Sequence, residues 1–231
     1  MKLKVLFLTV AFVSLIFASC STVPKKTINT DSSYSWTKER FELDPQNQSF
    51  SAEGEVTMWI DSVQFKGKFN GDYQILSSER SKWRMIITGP FNISVATVII
   101  NGMAAHIFHD GKWESKPWPE ISAGLFNADV DGDVLSVILG GRFKFDGECA
   151  EISENSKLCK MNEIYYKFAG NQIVEILSGD LYAVRKDGSW TGVRNGKYAF
   201  IFKNKDFDNT VLLKDSLFGL PVEEKDEFDD L

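Results

Sequence analysis

The feature that most constrains the fold is a long run of alternating residues in the N-terminal half of the chain. Apolar or small side chains occupy every second position of one stretch and, after a turn at Asp61-Ser62, of a second stretch. These residues are Phe50, Ala52, Gly54, Val56, Met58 and Ile60, and then Val63, Phe65, Gly67, Phe69, Gly71, Tyr73 and Ile75. A period of two over this length predicts two long antiparallel strands with one apolar and one solvated face. The glycines inside them predict the bending of a sheet that curls.

Two-residue turn signals extend this pattern through the rest of the chain. They are Asn101-Gly102, Asp110-Gly111, Gly170-Asn171, Asp187-Gly188 and Asn195-Gly196. Each lies between short segments of strand-like composition, which is the pattern of a β-hairpin. The segments add up to about ten or eleven strands, and we expect a mainly β protein built as an antiparallel meander.

Two segments interrupt the meander. Ser35 to Phe41 is predicted as a short helix. Ser122 to Leu139 is rich in apolar residues and ends at Gly140-Gly141, which predicts one or two short apolar helices with a glycine stop. A strongly curved sheet with such an insertion predicts an incomplete, half-open β-barrel, in which the short helices cover the concave apolar face as a lid.

The N-terminus has the pattern of an exported protein. A short positive region, Met1 to Lys4, precedes an uncharged apolar stretch from Val5 to Phe17, too short to span a bilayer. The stretch ends Phe17-Ala18-Ser19-Cys20, which resembles the lipobox of bacterial lipoproteins. That resemblance implies removal of residues 1–19 and lipidation of Cys20. An ordinary cleaved signal and a retained anchor helix are the alternatives.

The regions next to the predicted domain have a different composition. Residues 20–35 are rich in Ser, Thr and Lys, which predicts a lipidated flexible tether. Fully extended, 15 such residues reach about 50 Å. Residues 217–231 form an acidic tail, and the β domain is expected between them at 36–216. The residue after Cys20 is Ser21 and not Asp. In bacteria with two membranes, this resembles the pattern of lipoproteins that are exported to the outer membrane.

Charge and cysteine content narrow the functional classes. The net charge is −6 and no basic stripe stands out, which argues against a nucleic-acid partner. Apart from Cys20, the cysteines are Cys149 and Cys159, an even pair in a chain predicted to reach an oxidising compartment. They flank a polar loop-like stretch, so we favour a disulfide over free thiols. A redox or zinc site would need closer spacing and more ligands.

Candidates for catalysis or metal binding are scarce. His106 and His109 are three apart, which places them on opposite faces of a strand, so we interpret them as rim residues. The acidic run from Asn127 to Asp133 has its glycine too early for a calcium loop and is better interpreted as a helix cap or a solvated loop. The sequence contains no nucleophile-elbow, P-loop or dinucleotide-binding motif. We therefore expect no enzyme, no metal and no cofactor.

One stretch resembles a known family. Trp83 to Gly102, with Gly89-Pro90-Phe91-Asn92 between two strand-like halves, resembles LolB, the outer-membrane lipoprotein that receives other lipoproteins. The hairpin from Gly54 to Tyr73 is similar to the family's first strands, and Val134 to Gly140 to its insertion. The order of elements matches over residues 36–210. The family's exposed apolar loop residue, a Leu after Pro, falls on Phe91 after Pro90, which implies a membrane-insertion loop here, although Gly89 and Asn92 depart from the family's Asn and Gly.

The resemblance also implies a function. An apolar cavity would enclose acyl chains of lipoproteins or other lipids, and a soluble periplasmic LolA-like carrier would be the partner. The cavity is expected to be lined by Val56, Met58, Phe65, Phe69, Tyr73, Trp83, Met85 and Ile87. We expect a monomer at the outer membrane, anchored through Cys20 and facing the periplasm. Two alternatives stay open: a lipoprotein that binds another hydrophobic ligand, and a structural lipoprotein whose core is filled.

Overall fold

The described part of the chain folds into one antiparallel sheet and two short α-helices. The computed structural model describes residues 23–30, 33–60, 63–74, 81–90, 93–101 and 104–220. The strands are β1 (Thr37–Leu43), β2 (Ser49–Ile60), β3 (Val63–Gln74), β4 (Lys82–Thr88), β5 (Ser94–Asn101), β6 (Ala104–His109), β7 (Lys112–Lys116), β8 (Phe143–Ser153), β9 (Ser156–Met161), β10 (Ile164–Ala169), β11 (Gln172–Ser178), β12 (Leu181–Lys186), β13 (Ser189–Arg194) and β14 (Lys197–Asp208). The helices are α1 (Trp118–Phe126) and α2 (Gly132–Leu139), and a 3-10 helix follows at Asp215–Phe218.

The sheet consists of two meanders joined side by side. β2 to β7 form the first meander, and β8 to β14 form the second. β14 pairs with β2, which makes the sheet continuous, and β1 is added beside β8. The edge strands β1 and β7 do not pair with each other in the described residues, so the curled sheet stays open, as predicted.

The long alternating hairpin is confirmed. β2 and β3 pair from Ser49 opposite Gln74 to Ile60 opposite Val63. The apolar alternation forms the inner face of the sheet, and most of its side chains are buried in the main core. The tip of the hairpin differs from the rest of the inner face, because Val63 there is 69% exposed. β4 ends at Thr88, opposite Lys68, so the first residues of β3 extend beyond their neighbour.

The described residues form fourteen strands, whereas the sequence predicted about ten or eleven. The turns at 110–111, 170–171, 187–188 and 195–196 are confirmed, whereas Gly102 of the fifth lies outside the described residues. Further two-residue turns occur at 154–155, 162–163 and 179–180. The 162–163 turn has positive φ at both Asn162 and Glu163. Glu is a rare residue for that backbone conformation, so sequence patterns gave little sign of this turn.

The predicted helix at Ser35 to Phe41 is wrong, because this region forms strand β1. Its composition suits a helix, but β1 pairs along its whole length with β8, from Thr37 opposite Cys149 to Leu43 opposite Phe143. Phe41 stacks on Phe145 at 4.8 Å between ring centroids. Long-range pairing therefore overrides local helix propensity here.

The helical insertion is confirmed and lies on the inner face of the sheet. Asp131 caps α2 by accepting a hydrogen bond of 2.7 Å from the backbone N–H of Asp133. Gly140, with φ of +84°, ends this helix in the left-handed conformation that glycine favours. Buried residues of both helices belong to the same apolar cluster as the inner sheet residues. No helix among the described residues is long and apolar enough to cross a bilayer.

Glycines within the strands make room for aromatic rings on the inner face. A Cβ at Gly54 would lie 2.1 Å from the Lys203 carbonyl oxygen and 2.9 Å from the Phe69 ring, which belongs to its cross-strand partner. A Cβ at Gly192 would meet the ring of its partner Phe200 at 2.5 Å. The rings thus cover the glycine backbone, which lets the sheet bend without leaving voids.

Both ends of the described chain pack on the outer face of the sheet. Ile28 of the predicted tether is buried against β9, β11 and β12 through Leu158, Leu177 and Tyr182. Phe218, in the predicted acidic tail, is also buried, and its 3-10 helix contacts β4 and β5. Ile28 and Phe218, which lie outside the predicted bounds 36–216 of the β domain, are therefore packed on the sheet.

We expect Gly54→Ala to lower the free energy of unfolding by about 2 kcal/mol or more, because the added Cβ overlaps a backbone carbonyl that cannot rotate away. Gly124→Ala is the matched control, since Gly124 lies in α1 with no atom near its Cβ position. It should stabilise the protein by up to about 1 kcal/mol. Urea unfolding of both variants measures the effects, and equal stabilities would contradict the close approach at Gly54.

Candidate functional site

The eight side chains predicted to line a cavity all lie on the inner face of β2, β3 and β4. Phe65, near the hairpin tip, is partly buried and packs against the core. The other seven are buried: Val56, Met58, Phe69, Tyr73, Trp83, Met85 and Ile87. They pack with one another and with residues of α1 and α2 in one cluster. In this structure the helices therefore occupy the space over the apolar face, and the eight residues are core.

Aromatic rings connect the sheet to the helices. Phe50 stacks on Tyr73 at 4.9 Å between centroids, and Tyr73 meets Trp83 edge-on at 5.8 Å. Trp83 contacts Trp118, the first residue of α1, at 6.3 Å, and Trp118 contacts Phe126 at the other end of that helix. Pairs in this range of distances attract each other beyond their burial. α1 is thus held on the sheet mainly by aromatic packing.

The two helices are tied to each other by a few hydrogen bonds at the loop between them. The indole N–H of Trp118 donates to the Val130 carbonyl at 2.7 Å. The Ser122 hydroxyl accepts from the Val130 N–H at 3.2 Å and donates to the Pro119 carbonyl at 3.1 Å. Ser122 is buried, so these bonds satisfy polar groups that water does not reach. The helices and their connecting loop therefore form one lid, which we define as residues 118–139.

The C-terminal end of the lid is held by polar contacts. The amide of Asn47 donates to the Gly140 carbonyl at 2.8 Å. The amide of Asn204 in β14 lies 3.4 and 3.3 Å from the carbonyl oxygens of Ile138 and Leu139. These bonds satisfy carbonyls that a helix end leaves unpaired. A further hydrogen bond, from Arg194 Nη1 to the Asn127 carbonyl at 3.2 Å, fixes the loop between the two helices.

Three hydrogen-bond donors of the inner wall are buried without a partner in the described residues, and one of them, the Tyr166 hydroxyl, lies near α2. The other two are the Tyr73 hydroxyl and the Trp83 indole N–H, on residues paired directly across the adjacent strands β3 and β4. Burial raises the pKa of Tyr73 far above its ordinary value, with a further contribution from the Asp72 charge, so its hydroxyl keeps its proton. Each unpaired buried donor costs about 1–3 kcal/mol. The Tyr73 hydroxyl lies over the Gly71 backbone, 2.3 Å from the position that a Cβ of that residue would take.

The first turn of α2 contains a carboxyl group, that of Asp133, whose charged form is disfavoured by burial. Burial raises the pKa of Asp133 from 3.8 to about 6, and the neighbouring Asp131 charge adds to this shift. The same two carboxylates, after burial itself, raise the pKa of Tyr166 on the sheet below. The Tyr166 hydroxyl is also buried without a partner in the described chain. At neutral pH the lid therefore holds a charge against an apolar wall, which weakens its packing.

The predicted membrane loop connects β4 and β5. Pro90 is exposed, while Phe91 lies outside the described residues. The loop is closed by a 2.9 Å hydrogen bond from the Gly89 N–H to the Ile93 carbonyl, and Ile93 is 65% exposed. Val95 in β5 is also exposed, and so is Val63 at the tip of the neighbouring β2–β3 hairpin. Alternation alone had assigned Val63 to the apolar face, and its exposure depends on where β4 ends.

The cysteines predicted to pair form a disulfide. Cys149 in β8 lies directly opposite Cys159 in β9, with 4.0 Å between the Cα atoms, and their sulfurs are bonded. Both side chains are buried on the inner face. The bond joins two adjacent strands next to the edge strand β1. Cys20, the predicted lipidation site, lies outside the described residues.

The remaining polar motifs have structural roles. The run from Asn127 to Asp133 contains the α2 cap, which confirms the capping interpretation. The Nδ1 atom of His106 is 2.7 Å from the Ser115 hydroxyl, and His109 lies beside Asp110 and Glu114. Within the described ranges, no group of three His, Cys, Asp or Glu side chains could hold a metal ion.

Comparison with known proteins finds similarity in solved structures but not in sequence. The chain matches no protein-family model, and no curated protein is significantly similar to it. The sheet is similar to the crystal structure of a LolA superfamily protein from Nitrosomonas europaea, which is 10% identical in sequence. That similarity covers 76% of this chain and 91% of the other chain, with a TM-score of 0.47. Values this low do not transfer a function, so the proposals below depend on the contacts of this chain.

We expect the free energy of unfolding to decrease as the pH rises from 4 to above 6, through the Asp133 contribution. The folded protein holds this proton up to a pKa of about 6, whereas the unfolded chain releases it near 3.8. The linked destabilisation at pH 7.5 is on the order of 2 kcal/mol. Asp133→Asn should therefore stabilise the protein at pH 7.5 and have a smaller effect at pH 5, as measured by urea unfolding at both values. Asp129→Asn, at an exposed position of the same loop, is the matched control for removing one carboxylate from the lid. A pH-independent effect of Asp133→Asn would contradict this prediction.

Proposed function

We propose that this protein is a lipid-anchored envelope protein that binds acyl chains on the inner face of its sheet, beneath the lid. The observation that carries the proposal is the pair of unpaired donors, Tyr73 and Trp83, in an otherwise apolar wall. A purely structural core has no use for two unsatisfied donors on facing strands. An acyl ester offers both a chain that suits the wall and an oxygen that suits the donors.

The mechanism is an exchange of one apolar cover for another. An entering acyl chain displaces the lid from the inner face, and each buried methylene contributes about 0.8 kcal/mol. The lost contacts of Trp118 and Phe126 offset much of this gain, because they cover the same surface. Binding is therefore reversible, which suits a protein that passes its ligand on. The ester hydrogen bonds would add about 0.5–1.5 kcal/mol each and favour esters over bare hydrocarbon.

The finer proposal is that the ligands are lipoproteins delivered to the outer membrane. It is supported by the lipobox-like Phe17-Ala18-Ser19-Cys20, by Ser21, and by the apolar β4–β5 loop. Cys20 would anchor the protein with the domain facing the periplasm, where a soluble LolA-like carrier would meet it. Phe91, after Pro90, would enter the bilayer interface, an interaction worth about 1.5–3 kcal/mol. Acyl chains would then move down a gradient of affinity from carrier to receptor to membrane.

A structural lipoprotein is the second candidate, and one observation favours it. Seven of the eight inner-wall residues are already fully packed beneath the lid. A core of this kind needs no ligand, and the protein would then act as a scaffold in the envelope. The proposed binding and this alternative differ in whether the lid can leave the wall.

The first test is binding of a fluorescent diacylglyceryl ester to the soluble domain without the first 20 residues. We expect Tyr73→Phe to weaken binding of the ester about fivefold, because one hydrogen bond is lost. The same substitution should leave binding of a fluorescent alkane of equal length unchanged and should stabilise the apo protein, because it removes an unsatisfied hydroxyl. Tyr166→Phe is the matched control, since it removes a buried unpaired hydroxyl next to α2 on the β10 wall. It should leave ester binding intact, and a domain that binds neither probe supports the scaffold.

The second test follows transfer of a labelled lipoprotein from a soluble carrier to the domain and then to liposomes. Phe91→Glu should leave transfer to the domain unchanged and reduce delivery to liposomes at least fivefold, because a charge replaces the apolar tip at the membrane interface. Phe91→Leu is the control and should deliver normally. If Phe91→Glu delivers as well as the wild type, the loop is not the membrane contact.

A further inference from the structure

The segment between the predicted lipid anchor and the domain is docked on the outer face of the sheet. Ile28 is only 5% exposed and packs with Leu158, Leu177 and Tyr182. The partly buried Tyr34 and Trp36 pack against the same cluster. An outer sheet face is normally solvated, so an apolar strip that is covered by the chain's own N-terminal segment indicates a built contact.

A network of hydrogen bonds next to Ile28 holds the N-terminal segment in place on the sheet. The Thr27 hydroxyl donates to the Glu175 carboxylate at 2.6 Å. Lys167 Nζ and the Tyr182 hydroxyl donate to the same carboxylate at 2.6 and 2.8 Å. Burial raises the pKa of Glu175, but the hydrogen bonds from Lys167, Thr27 and Tyr182 outweigh it, and the net pKa lies below the ordinary value. Glu175 is therefore a buried, fully bonded anion. We call Thr27, Ile28 and Glu175 the clamp.

From the clamp, the chain runs towards one rim of the sheet. Residues 23–26 line a surface groove together with Gly179-Asp180 of the β11–β12 turn and Asn195-Gly196 of the β13–β14 turn. The N-terminal end of β14 lies beside the C-terminal end of β2, because these strands are antiparallel, with Phe200 opposite Met58. The groove is thus at the same rim as the β2–β3 tip.

That rim also carries the exposed apolar residues of the first meander. Val63 at the β2–β3 tip is 69% exposed, and Ile93 and Val95 at the start of β5 are 65% and 44% exposed. Phe65 connects the two loops, since a Cβ at Gly89 would lie 3.5 Å from its ring. Exposed side chains of this size on adjacent loops form an apolar edge that suits a bilayer interface.

Chain length places the anchor close to this rim. Cys20 precedes Val23 by three residues, and three Cα–Cα steps span at most about 11 Å. An undocked tether of 15 residues would instead reach about 50 Å. With the clamp closed, acyl chains on Cys20 can enter a bilayer only if its surface lies near the groove.

The positive charges at this rim also suit a bilayer as the partner. Lys25, Lys26, Lys66 and Lys197 are exposed there. Each Lys close to a bilayer containing anionic lipids contributes about 1 kcal/mol. The carboxylate of Asp180, which also lines the groove, is paired with Arg194 at 2.6 Å.

We propose that the clamp fixes the orientation of the anchored domain, so that the rim with Val63, Ile93 and Val95 faces an anionic bilayer. The proposal rests on the lipidation of Cys20 contained in the proposed function. The clamp acts as a positioning device, since it keeps the lipid anchor, the basic groove and the apolar tips on one side. The opposite rim, with the β12–β13 turn, then points to the periplasm.

The test uses the full mature, acylated protein in liposomes of phosphatidylethanolamine and phosphatidylglycerol. A single cysteine is introduced as Val63→Cys or, on the opposite rim, as Lys186→Cys, and labelled with an environment-sensitive fluorophore. Because Cys149 and Cys159 are bonded to each other and Cys20 would be acylated, the new thiol is the one labelled. Quenching by spin-labelled lipids should be at least threefold stronger at position 63 than at position 186.

The clamp is tested with Ile28→Asp and its matched control Thr30→Asp, an exposed position in the same segment. Ile28→Asp should bring the quenching ratio between the two labels close to one, whereas Thr30→Asp should keep it. Thr27→Val is a second variant that removes the hydrogen bond to Glu175 with little change in volume. It should lower the ratio partway, and it remains informative if Ile28→Asp does not fold.

The outcomes separate this proposal from the proposed function. Equal quenching at both positions in the wild type, or an unchanged ratio in both clamp variants, overturns the orientation proposal. Ester binding by the soluble domain is measured independently and can still succeed in that case. If mass spectrometry shows no acyl group on Cys20, the anchored function and the orientation proposal both fail.

Discussion

The pairing of β14 with β2 is the contact on which the rest of the structure depends. These strands lie far apart in the sequence and join the two meanders into one continuous sheet. β14 also places Phe200 and Phe202 in the core and aims Asn204 at the end of α2. Without this pairing each meander would expose an unpaired edge and an uncovered apolar face. One strand thus sets the continuity of the sheet, the filling of its concave side and the position of the lid.

The lid has strong apolar packing and weak polar satisfaction. Trp118 and Phe126 cover the inner wall well. Beneath them, the Tyr73 and Trp83 donors have no partner in the described part of the chain, and Asp133 places a charge in a half-buried position. These polar imperfections cost free energy that an acyl ester and an open lid would recover in part. A ligand does not need to outweigh the whole core, because it replaces one apolar cover by another. This balance is the physical basis of the reversible lipid binding that we propose.

The outer face of the sheet is covered at two places by the ends of the domain. Ile28 lies over β9, β11 and β12, and Phe218 lies over β4 and β5. If the protein is anchored through Cys20, as we propose, the N-terminal contact matters because Val23, the first described residue, follows Cys20 by only three positions. A docked anchor segment restricts which rim can approach a bilayer, whereas a long flexible tether leaves every orientation open. The same few contacts therefore serve stability and geometry.

The sequence by itself determined the β2–β3 hairpin, several of the tight turns and the helical lid, because these depend on local periods and turn residues. The Cys149–Cys159 pairing could also be predicted, since few cysteines were available. Only the tertiary structure decided the rest. The sequence of β1 predicts a helix, but pairing with β8 makes it a strand. Ile28 was predicted to lie in a linker, but it packs on an apolar strip of the outer strands. Val63 was predicted to face the core, but it is exposed because β4 ends opposite Lys68, five residues away. In each case a contact between distant segments, which no local pattern encodes, sets the outcome.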